Sequence, residues 1–209
     1  MKEFDFAGAE RIGLPKCDDR VPCVEAFEAV TGIEVPTFKS RKLSSKSQGV
    51  EFFLLKGKDI PGFIDLGVID IGATGTDSCN EYENPQNISY KRIAEAMCRF
   101  VIMSEAETCE AVEANLNSRN PRLMQVATSK PKDLNTFASW RDLPLKAVAL
   151  PSGVTLSGSL EIMPQLLSSM GVEVVADLVA SGETAEQNGL VEIITLMNVY
   201  PALVQKAES

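Results

Sequence analysis

The stretch that decides the fold begins with Arg99-Phe-Val-Ile-Met103 and ends with Met124-Gln-Val-Ala-Thr128. Both apolar runs predict strands, and the acidic segment 105–115 between them predicts a helix. A strand, a helix and a second strand in this order are typical of α/β folds. The same alternation of strands and helices also runs from residue 11 to residue 72, so the strand at residue 99 begins a second α/β segment.

Working outward from this stretch, we predict two α/β lobes with a cleft between them, since ligands of such folds bind beyond the carboxyl ends of strands. Lobe I spans residues 1–98 plus 185–209, and lobe II spans residues 99–184. The other predicted elements are strands at 11–15, 50–55, 67–72, 146–150 and 172–177, helices at 24–30, 60–66 and 160–170, and a helical or mixed segment at 183–196.

The composition excludes several classes of function. The chain has 209 residues, no histidine, 20 Lys+Arg and 29 Asp+Glu, for a net charge of −9. Without histidine, a Ser-His-Asp triad, a Cys-His pair, a His-ligated metal site and a histidine general base are impossible. The acidic balance argues against a nucleic-acid partner, because such binding requires clustered Lys and Arg.

The chain also lacks signals for export or membrane insertion. Its start mixes acids with apolar residues and has no apolar signal core, and no run approaches the roughly 18 apolar residues of a membrane span. The five cysteines are odd in number and form no CxxC pair. We therefore expect a cytoplasmic protein with reduced thiols.

The sharpest local signal runs from Asp177 through Ser181-Gly182-Glu183-Thr184. An apolar strand ends at an acid, and a Ser-Gly-x-Thr sequence then opens a helix whose free N–H groups suit a phosphate. The hydroxyls of Ser181 and Thr184 add donors. A strand-turn-helix connection with Ser181 as its N-cap, and no ligand, is equally compatible with this sequence, so both interpretations stay open.

A second loop, with Gly75 and Asp77, follows the strand predicted at 67–72. Its glycines suit backbone contacts to a ligand, and Asp77 suits an amine, a ribose hydroxyl or a metal-bound water, although most such loops are only turns. Lysines follow three predicted strands, at Lys16, at Lys56 and at Lys130. Each suits a solvated surface, but together they favour a polyphosphate ligand.

These segments, in the same order, resemble the ATP phosphoribosyltransferase family. The resemblance covers nearly the whole chain, and its most specific part is the last block. The matching stretches are Arg11-Ile-Gly-Leu-Pro-Lys16, Lys56-Gly-Lys58-Asp59-Ile60-Pro61, Gly67-Val-Ile-Asp70-Ile-Gly72-Ala-Thr-Gly75-Thr-Asp77, Cys98-Arg99-Phe100-Val101, Ser157-Gly158-Ser159-Leu-Glu161 and Asp177-Leu-Val-Ala-Ser181-Gly182-Glu183-Thr184.

The resemblance implies a periplasmic-binding-protein-like fold and a transferase that joins the phosphoribosyl group of phosphoribosyl pyrophosphate to N1 of ATP with Mg²⁺, the first step of histidine biosynthesis. It implies catalytic roles for Lys16, Glu161 and Asp177. It also implies two binding sets and no protein metal ligand. The 5′-phosphate set is Ser181, Gly182, Glu183 and Thr184, and the nucleotide set is Lys56, Asp59, Gly75 and Asp77.

The resemblance further implies the family's short form, a homo-oligomer that works with a separate regulatory subunit resembling histidyl-tRNA synthetase. This chemistry suits a protein without histidine. N1 of adenine has a free lone pair at neutral pH, so the enzyme needs charge stabilisation rather than a general base.

A second hypothesis is a noncatalytic or altered-specificity homologue that binds a phosphorylated metabolite or acts as a subunit. The residues that favour it are Asp18, Asp19 and Glu183, which bring carboxylates to loops where a polyphosphate is expected. Acids that line the ligand site favour the binder, and acids turned to solvent favour the enzyme.

Overall fold

The computed structural model describes residues 8–16, 20–39, 42–150, 169–172, 174–183 and 190–207. The chain divides into two compact units. The first comprises Met1–Met97 and Val199–Ser209, and the second comprises Cys98–Asn198.

The described residues of the first unit form a six-stranded sheet and three helices, with 3₁₀ turns at Gly57–Asp59 and Pro85–Asn87. Its strands and helices are β1 (Arg11–Pro15), α1 (Arg20–Thr31), β2 (Ser44–Ser47), β3 (Val50–Leu55), α2 (Ile60–Asp65), β4 (Ile71–Gly75), α3 (Thr76–Glu81), β5 (Ile88–Arg92) and β11 (Pro201–Lys206).

The strand order of the first sheet is β2-β3-β1-β4-β11-β5. Strand β1 is parallel to both β3 and β4, whereas β11 is antiparallel to β4 and β5. Consecutive residues Leu203 and Val204 of β11 pack into two different apolar clusters, one with Phe27 of α1 and the other with Ile60 of α2. Because successive side chains of a strand point to opposite faces, apolar clusters cover both faces of this sheet.

Asp70 fixes the start of β1 beside the start of β4. Its carboxylate accepts hydrogen bonds from the amides of Glu10 and Arg11, at 3.0 and 2.8 Å, and from the Arg11 guanidinium, at 2.6 Å. Partial burial acts to raise the pKa of Asp70, but the Arg11 side chain, the two amides and the Arg11 charge together outweigh it and lower that pKa.

The described part of the second unit contains a five-stranded sheet, with the strands in the order β10 (Val191–Val199), β6 (Cys98–Ser104), β9 (Val174–Ala180), β7 (Met124–Thr128) and β8 (Leu145–Ala149). Phe100 and Ile102 pack into one apolar cluster of this unit and Val101 and Met103 into another, which covers both faces of the sheet. Its described helices are α4 (Ala106–Leu116) and α5 (Pro131–Arg141).

The α/β class with two sheets is confirmed, and the strands predicted at 11–15, 50–55 and 124–128 form as β1, β3 and β7. Two strands lie later in the chain than predicted: the one predicted at 67–72 is β4 (Ile71–Gly75), and the one predicted at 172–177 is β9 (Val174–Ala180). The segment at 183–196, predicted as helical or mixed, contains strand β10 in its described part. The helix predicted at 160–170 lies almost wholly outside the described residues.

The division between the units differs from the predicted boundaries at the point where the chain returns from the second unit to the first. The first crossing falls between Met97 and Cys98, and the second falls between Asn198 and Val199 rather than at residue 185. The reason is that β10 lies beside β6 in the second sheet, so the described residues 190–198 belong with that unit.

Candidate functional site

Lys16 and Lys56 lie at the same end of the first sheet. Pro15 and Leu55 are register partners at the ends of the parallel strands β1 and β3, and each lysine is the first residue after its strand. The Lys16 amide donates to the Leu55 carbonyl at 2.8 Å, which holds the two backbones together beyond the strand ends. Both lysine side chains are exposed, so the first unit presents two cations side by side.

The 3₁₀ turn after Lys56 joins this end of the sheet to β4. The Asp59 amide donates to the Lys56 carbonyl at 2.9 Å, and the Thr74 hydroxyl donates to the Gly57 carbonyl at 3.0 Å. Asp59 is partly exposed and immediately precedes α2. The predicted nucleotide residues Lys56 and Asp59 therefore lie next to the carboxyl end of β4.

The predicted loop with Gly75 and Asp77 is instead the end of β4 and the first turn of α3. All five residues of β4 are buried, and Asp77 is 3% exposed. The Thr76 amide donates to the Tyr200 carbonyl, and the Thr76 hydroxyl accepts from the Tyr200 amide. The Thr76 amide is thus hydrogen-bonded within the protein and is not available to a ligand.

Gly75 is required by its surroundings. A Cβ there would overlap Oδ1 of Asp77, and it would lie 2.8 Å from Cε of Met97 and 3.3 Å from Cγ1 of Val199. Real Cβ atoms do not approach other atoms this closely, so any larger residue must displace a packed neighbour. The buried acid Asp77 packs directly against the glycine.

Sequence analysis did not single out a group of three lysines beside the edge strand β2. Lys39, Lys42 and Lys46 line an open pocket of about 260 Å³ in the first unit. Lys46 forms an ion pair with Glu51 at 3.6 Å. The prediction considered only lysines that follow apolar strands, and β2, with the sequence SSKS, has no apolar residue to reveal it.

Asp177 lies inside β9 rather than at its end. It is 8% exposed, and its Oδ1 accepts hydrogen bonds from the Ser129 hydroxyl at 3.1 Å and from the Leu178 amide at 2.8 Å. Ser129 is the residue after β7, whose last residue, Thr128, is the register partner of Ala176 in the parallel pair with β9. Asp177 thus lies just beyond the carboxyl end of β7.

The predicted phosphate loop begins with a tight turn after β9. The Glu183 amide donates to the Ala180 carbonyl at 3.1 Å, and Gly182 has φ +87°. A positive φ at the third position is typical of a type II turn, which favours glycine there. Ser181, Gly182 and Glu183 are exposed, and a Cβ at Gly182 would meet no atom within 4 Å.

Glu161 and Thr184 lie outside the described residues, as do Asp18 and Asp19. Within the ranges that the structure does describe, no three Cys, Asp or Glu side chains are grouped so as to hold a metal ion. No helix in those ranges is long and apolar enough to cross a membrane.

Comparison with protein families gives a match to the model described as HisG, ATP phosphoribosyltransferase, over residues 56–209. The ATP phosphoribosyltransferase of Ruminiclostridium cellulolyticum is 31% identical over 186 residues, which are 87% of this chain and 79% of that protein. The enzyme of the same name from Staphylococcus epidermidis is 24% identical over 205 residues, covering 95% of this chain and 88% of that protein.

Solved structures with similar folds agree with the α/β architecture. The ATP phosphoribosyl transferase (HisG:HisZ) complex from Thermotoga maritima matches with a TM-score of 0.61 at 17% identity, over 93% of this chain and 86% of that chain. An amino acid ABC transporter substrate-binding protein from Streptococcus pneumoniae, bound to L-arginine, matches with a TM-score of 0.50 at 14% identity, over 96% and 83% of the two chains. The fold is therefore that of periplasmic binding proteins.

Proposed function

We propose that this chain, which belongs to the ATP phosphoribosyltransferase family, joins the phosphoribosyl group of phosphoribosyl pyrophosphate to N1 of ATP. In this transfer the bond from the ribose anomeric carbon to pyrophosphate breaks, a bond to N1 forms, and pyrophosphate leaves. The reaction is the first step of histidine biosynthesis. The observation that carries the proposal is the exposed turn with Gly182 at positive φ, directly after the strand that holds Asp177, within the family match.

The turn is proposed to bind the 5′-phosphate of the sugar through Ser181, Gly182 and Thr184. Exposed main-chain amides and hydroxyls suit a phosphate, and the open space beside Gly182 lets the anion approach the backbone. The Glu183 amide already bonds to Ala180, so we assign Glu183 a place in the turn rather than a direct contact. Its side chain is exposed, which is compatible with a phosphate at the turn.

Asp177, with Glu161, is proposed to lie near the ribose. An oxocarbenium-like centre develops positive charge at the anomeric carbon, and a fixed carboxylate stabilises that charge. The hydrogen bonds from Ser129 and from the Leu178 amide hold the Asp177 carboxylate in one orientation. A preorganised carboxylate needs no rearrangement as the charge appears.

The end of the first sheet is proposed to bind the polyphosphate and nucleotide parts. Lys16 and Lys56 supply two adjacent exposed cations, and Asp59 is partly exposed at the same end of the sheet. Gly75 and Asp77 are buried at the carboxyl end of β4, so we assign them the support of this end rather than a direct contact. Cations are required where pyrophosphate leaves, because negative charge builds up on the departing oxygens. Neither the binding of the polyphosphate nor the departure of pyrophosphate requires a histidine, and the chain has none.

Magnesium is proposed as the metal cofactor. Mg²⁺ in nucleotide enzymes is held by one or two carboxylates together with substrate phosphates. The Asp177 carboxylate, held by hydrogen bonds from the Ser129 hydroxyl and the Leu178 amide, would supply one such oxygen ligand. When bound, the ion supplies neutralising charge to the pyrophosphate.

A cytoplasmic homo-oligomer with a regulatory partner is the proposed assembly. The similar structure from Thermotoga maritima is a HisG:HisZ complex, and the resemblance of this chain to the family's short form implies a partner related to histidyl-tRNA synthetase. The proposal predicts that activity rises when such a subunit is added.

The deciding experiment is incubation of the full chain with ATP, phosphoribosyl pyrophosphate and Mg²⁺, with and without a HisZ-like subunit. We expect N1-phosphoribosyl-ATP and an equal amount of pyrophosphate, detected by mass spectrometry and a coupled pyrophosphate assay. Tight binding of phosphoribosyl pyrophosphate without any adduct in either mixture would establish the noncatalytic alternative instead.

The role of the lysine pair is tested with Lys16→Ala. Turnover should fall roughly tenfold, as expected for losing one charged contact to the polyphosphate. The matched control is Lys91→Ala, which removes an exposed lysine from strand β5 of the same sheet and should leave turnover unchanged. Equal rates in both variants would remove Lys16 from the site.

A further inference from the structure

Arg99, near the start of β6, connects two parts of the second unit. Its Nε donates to Oε2 of Glu192 at 3.3 Å and its Nη2 donates to Oε1 of the same carboxylate, so the pair is bidentate. Nη2 also donates to the Glu183 carbonyl at 2.8 Å. The two charged side chains are 25% and 26% exposed, so water screens the pair only partly.

The guanidinium holds both ends of the turn that follows β9. Besides the Glu183 carbonyl, it approaches the Ala180 carbonyl, with Nη1 at 3.5 Å. The same Ala180 carbonyl accepts from the Glu183 amide, which closes the turn. One planar cation thus binds the last carbonyl of a four-residue turn and lies 3.5 Å from the first, and the turn contains Gly182 at φ +87°.

The direction of the Ala180 carbonyl also gives the direction of the Ser181 amide. The carbonyl of Ala180 and the N–H of Ser181 belong to one planar trans peptide unit, in which they point in opposite directions. Because the carbonyl is directed toward the Arg99 guanidinium and the Glu183 amide, the Ser181 N–H is directed away from both. The donor is therefore presented on the side of the turn opposite the arginine.

We propose that Arg99 is a positioning residue, which orients the 180–183 turn to receive the phosphate of a sugar phosphate, and that Glu192 balances its charge. The inference rests on the proposed function for the identity of that phosphate, the 5′-phosphate of phosphoribosyl pyrophosphate. Lysine cannot replace this arrangement fully, because a single ammonium lacks the planar fork that bonds a carboxylate and two carbonyls together.

The role of Glu192 gives the proposal a distinctive consequence. Its carboxylate neutralises Arg99 beside the turn, so a phosphate there is bound by amides and hydroxyls next to a neutral pair. Glu192→Gln keeps an acceptor for the guanidinium but removes the negative charge, which leaves a net cation near the anion site. Affinity for phosphate should then rise while thermal stability falls, whereas a merely structural role lowers both.

The test uses the full chain and isothermal titration calorimetry with ribose 5-phosphate and with phosphoribosyl pyrophosphate. Arg99→Ala should weaken both affinities about tenfold or more, the effect of losing a charge-assisted contact. The KM for ATP should stay within about twofold, because the nucleotide residues belong to the other unit. Arg99→Lys should fall between the wild type and Arg99→Ala.

Two further variants keep the test decisive even if Arg99→Ala does not fold. Glu192→Gln should bind ribose 5-phosphate about threefold more tightly, with a lower Tm. Arg119→Ala, which removes an exposed arginine from the segment after α4 in the same unit, is the matched control and should bind like the wild type.

The proposal is overturned if Arg99→Lys and Arg99→Ala bind ribose 5-phosphate as the wild type does, or if Glu192→Gln loses both stability and affinity. It is also overturned if the wild type binds neither ligand. A wild type that binds ribose 5-phosphate but forms no phosphoribosyl-ATP contradicts the proposed function alone, because the positioning role is measured by binding.

Discussion

Two glycine-bearing segments, one in each unit, look alike in sequence and differ in structure. Both combine glycine, hydroxyl residues and an acid after an apolar strand, at Gly75 and at Gly182. Gly75 is buried against Asp77, Met97 and Val199, whereas Gly182 is exposed with no atom near its missing Cβ. Gly75 is needed because its neighbours leave no room for a Cβ, whereas Gly182 is needed because the backbone there adopts a positive φ.

The difference teaches where backbone donors are available to a ligand. In the first unit, Gly75 pairs with Pro201 of β11 and the Thr76 amide bonds to Tyr200, so that segment is integrated into the sheet. In the second unit, the turn at Ser181 and Gly182 is exposed. A glycine-rich sequence after a strand therefore indicates a phosphate site only where the glycine lies outside the hydrogen-bonded strand pairs of the sheet.

The largest effect is expected for Gly75→Val. The added atoms must displace Met97 and Val199 in the packed core, so the free energy of unfolding should fall by about 3 kcal/mol. Urea denaturation followed by circular dichroism measures this change. Gly182→Ala serves as the control and should lose only about 1 kcal/mol through strain at positive φ. Similar losses in the two variants would contradict the contrast.

Gly182→Asp should produce the opposite pattern, with a large loss of binding and a small loss of stability. The new carboxylate lies where the sugar phosphate is expected, and like charges in contact cost several kcal/mol, so affinity for phosphoribosyl pyrophosphate should fall roughly 100-fold. Calorimetry measures the affinity, and the urea midpoint reports folding. Unchanged affinity would remove this turn from the site.

The smallest effect concerns Asp70, which anchors the strand leading to Gly75. Because the folded-state pKa of Asp70 lies below its usual value of 3.8, its contribution is present above that pH and is lost as the pH falls through the folded pKa. Asp70→Asn should lower stability at pH 7 by less than about 1 kcal/mol, since both partners are partly exposed.

The Asp70→Asn variant should also lose less stability than the wild type between pH 5 and pH 2, roughly the range in which an aspartate titrates. Urea midpoints at a series of pH values give both slopes. Parallel slopes for the two proteins would show that another acid controls the acid sensitivity of the first unit.

Strands with continuous apolar runs were predictable. β1, β3 and β7 form at the predicted residues because most of their side chains are buried or half-buried, which leaves short stretches of mainly apolar residues in the sequence. β2 was not predictable, because an edge strand with the sequence SSKS needs no apolar residue to pair with β3. In β10, the β-branched residues Ile193, Ile194 and Thr195 favour a strand, which the helical or mixed interpretation of this segment did not specify.

The sequence indicates which residues to consider for the site, but not where the fold places them. The sequence indicated Asp177 and the turn at Ser181 and Gly182, but β9 continues three residues beyond Asp177. The link from Arg99 to this turn joins residues 84 positions apart. Such a contact depends on the pairing of β6 with β9, which local sequence patterns do not specify.

The position of β11 has a consequence for how the chain is made. It lies between β4 and β5, yet a ribosome produces it after both of them and after the whole second unit. Until then, the nascent sheet has unpaired edges at β4 and β5, and unpaired edges are where chains join one another wrongly. Damage to this late strand should therefore cause aggregation during expression rather than yield a smaller folded domain.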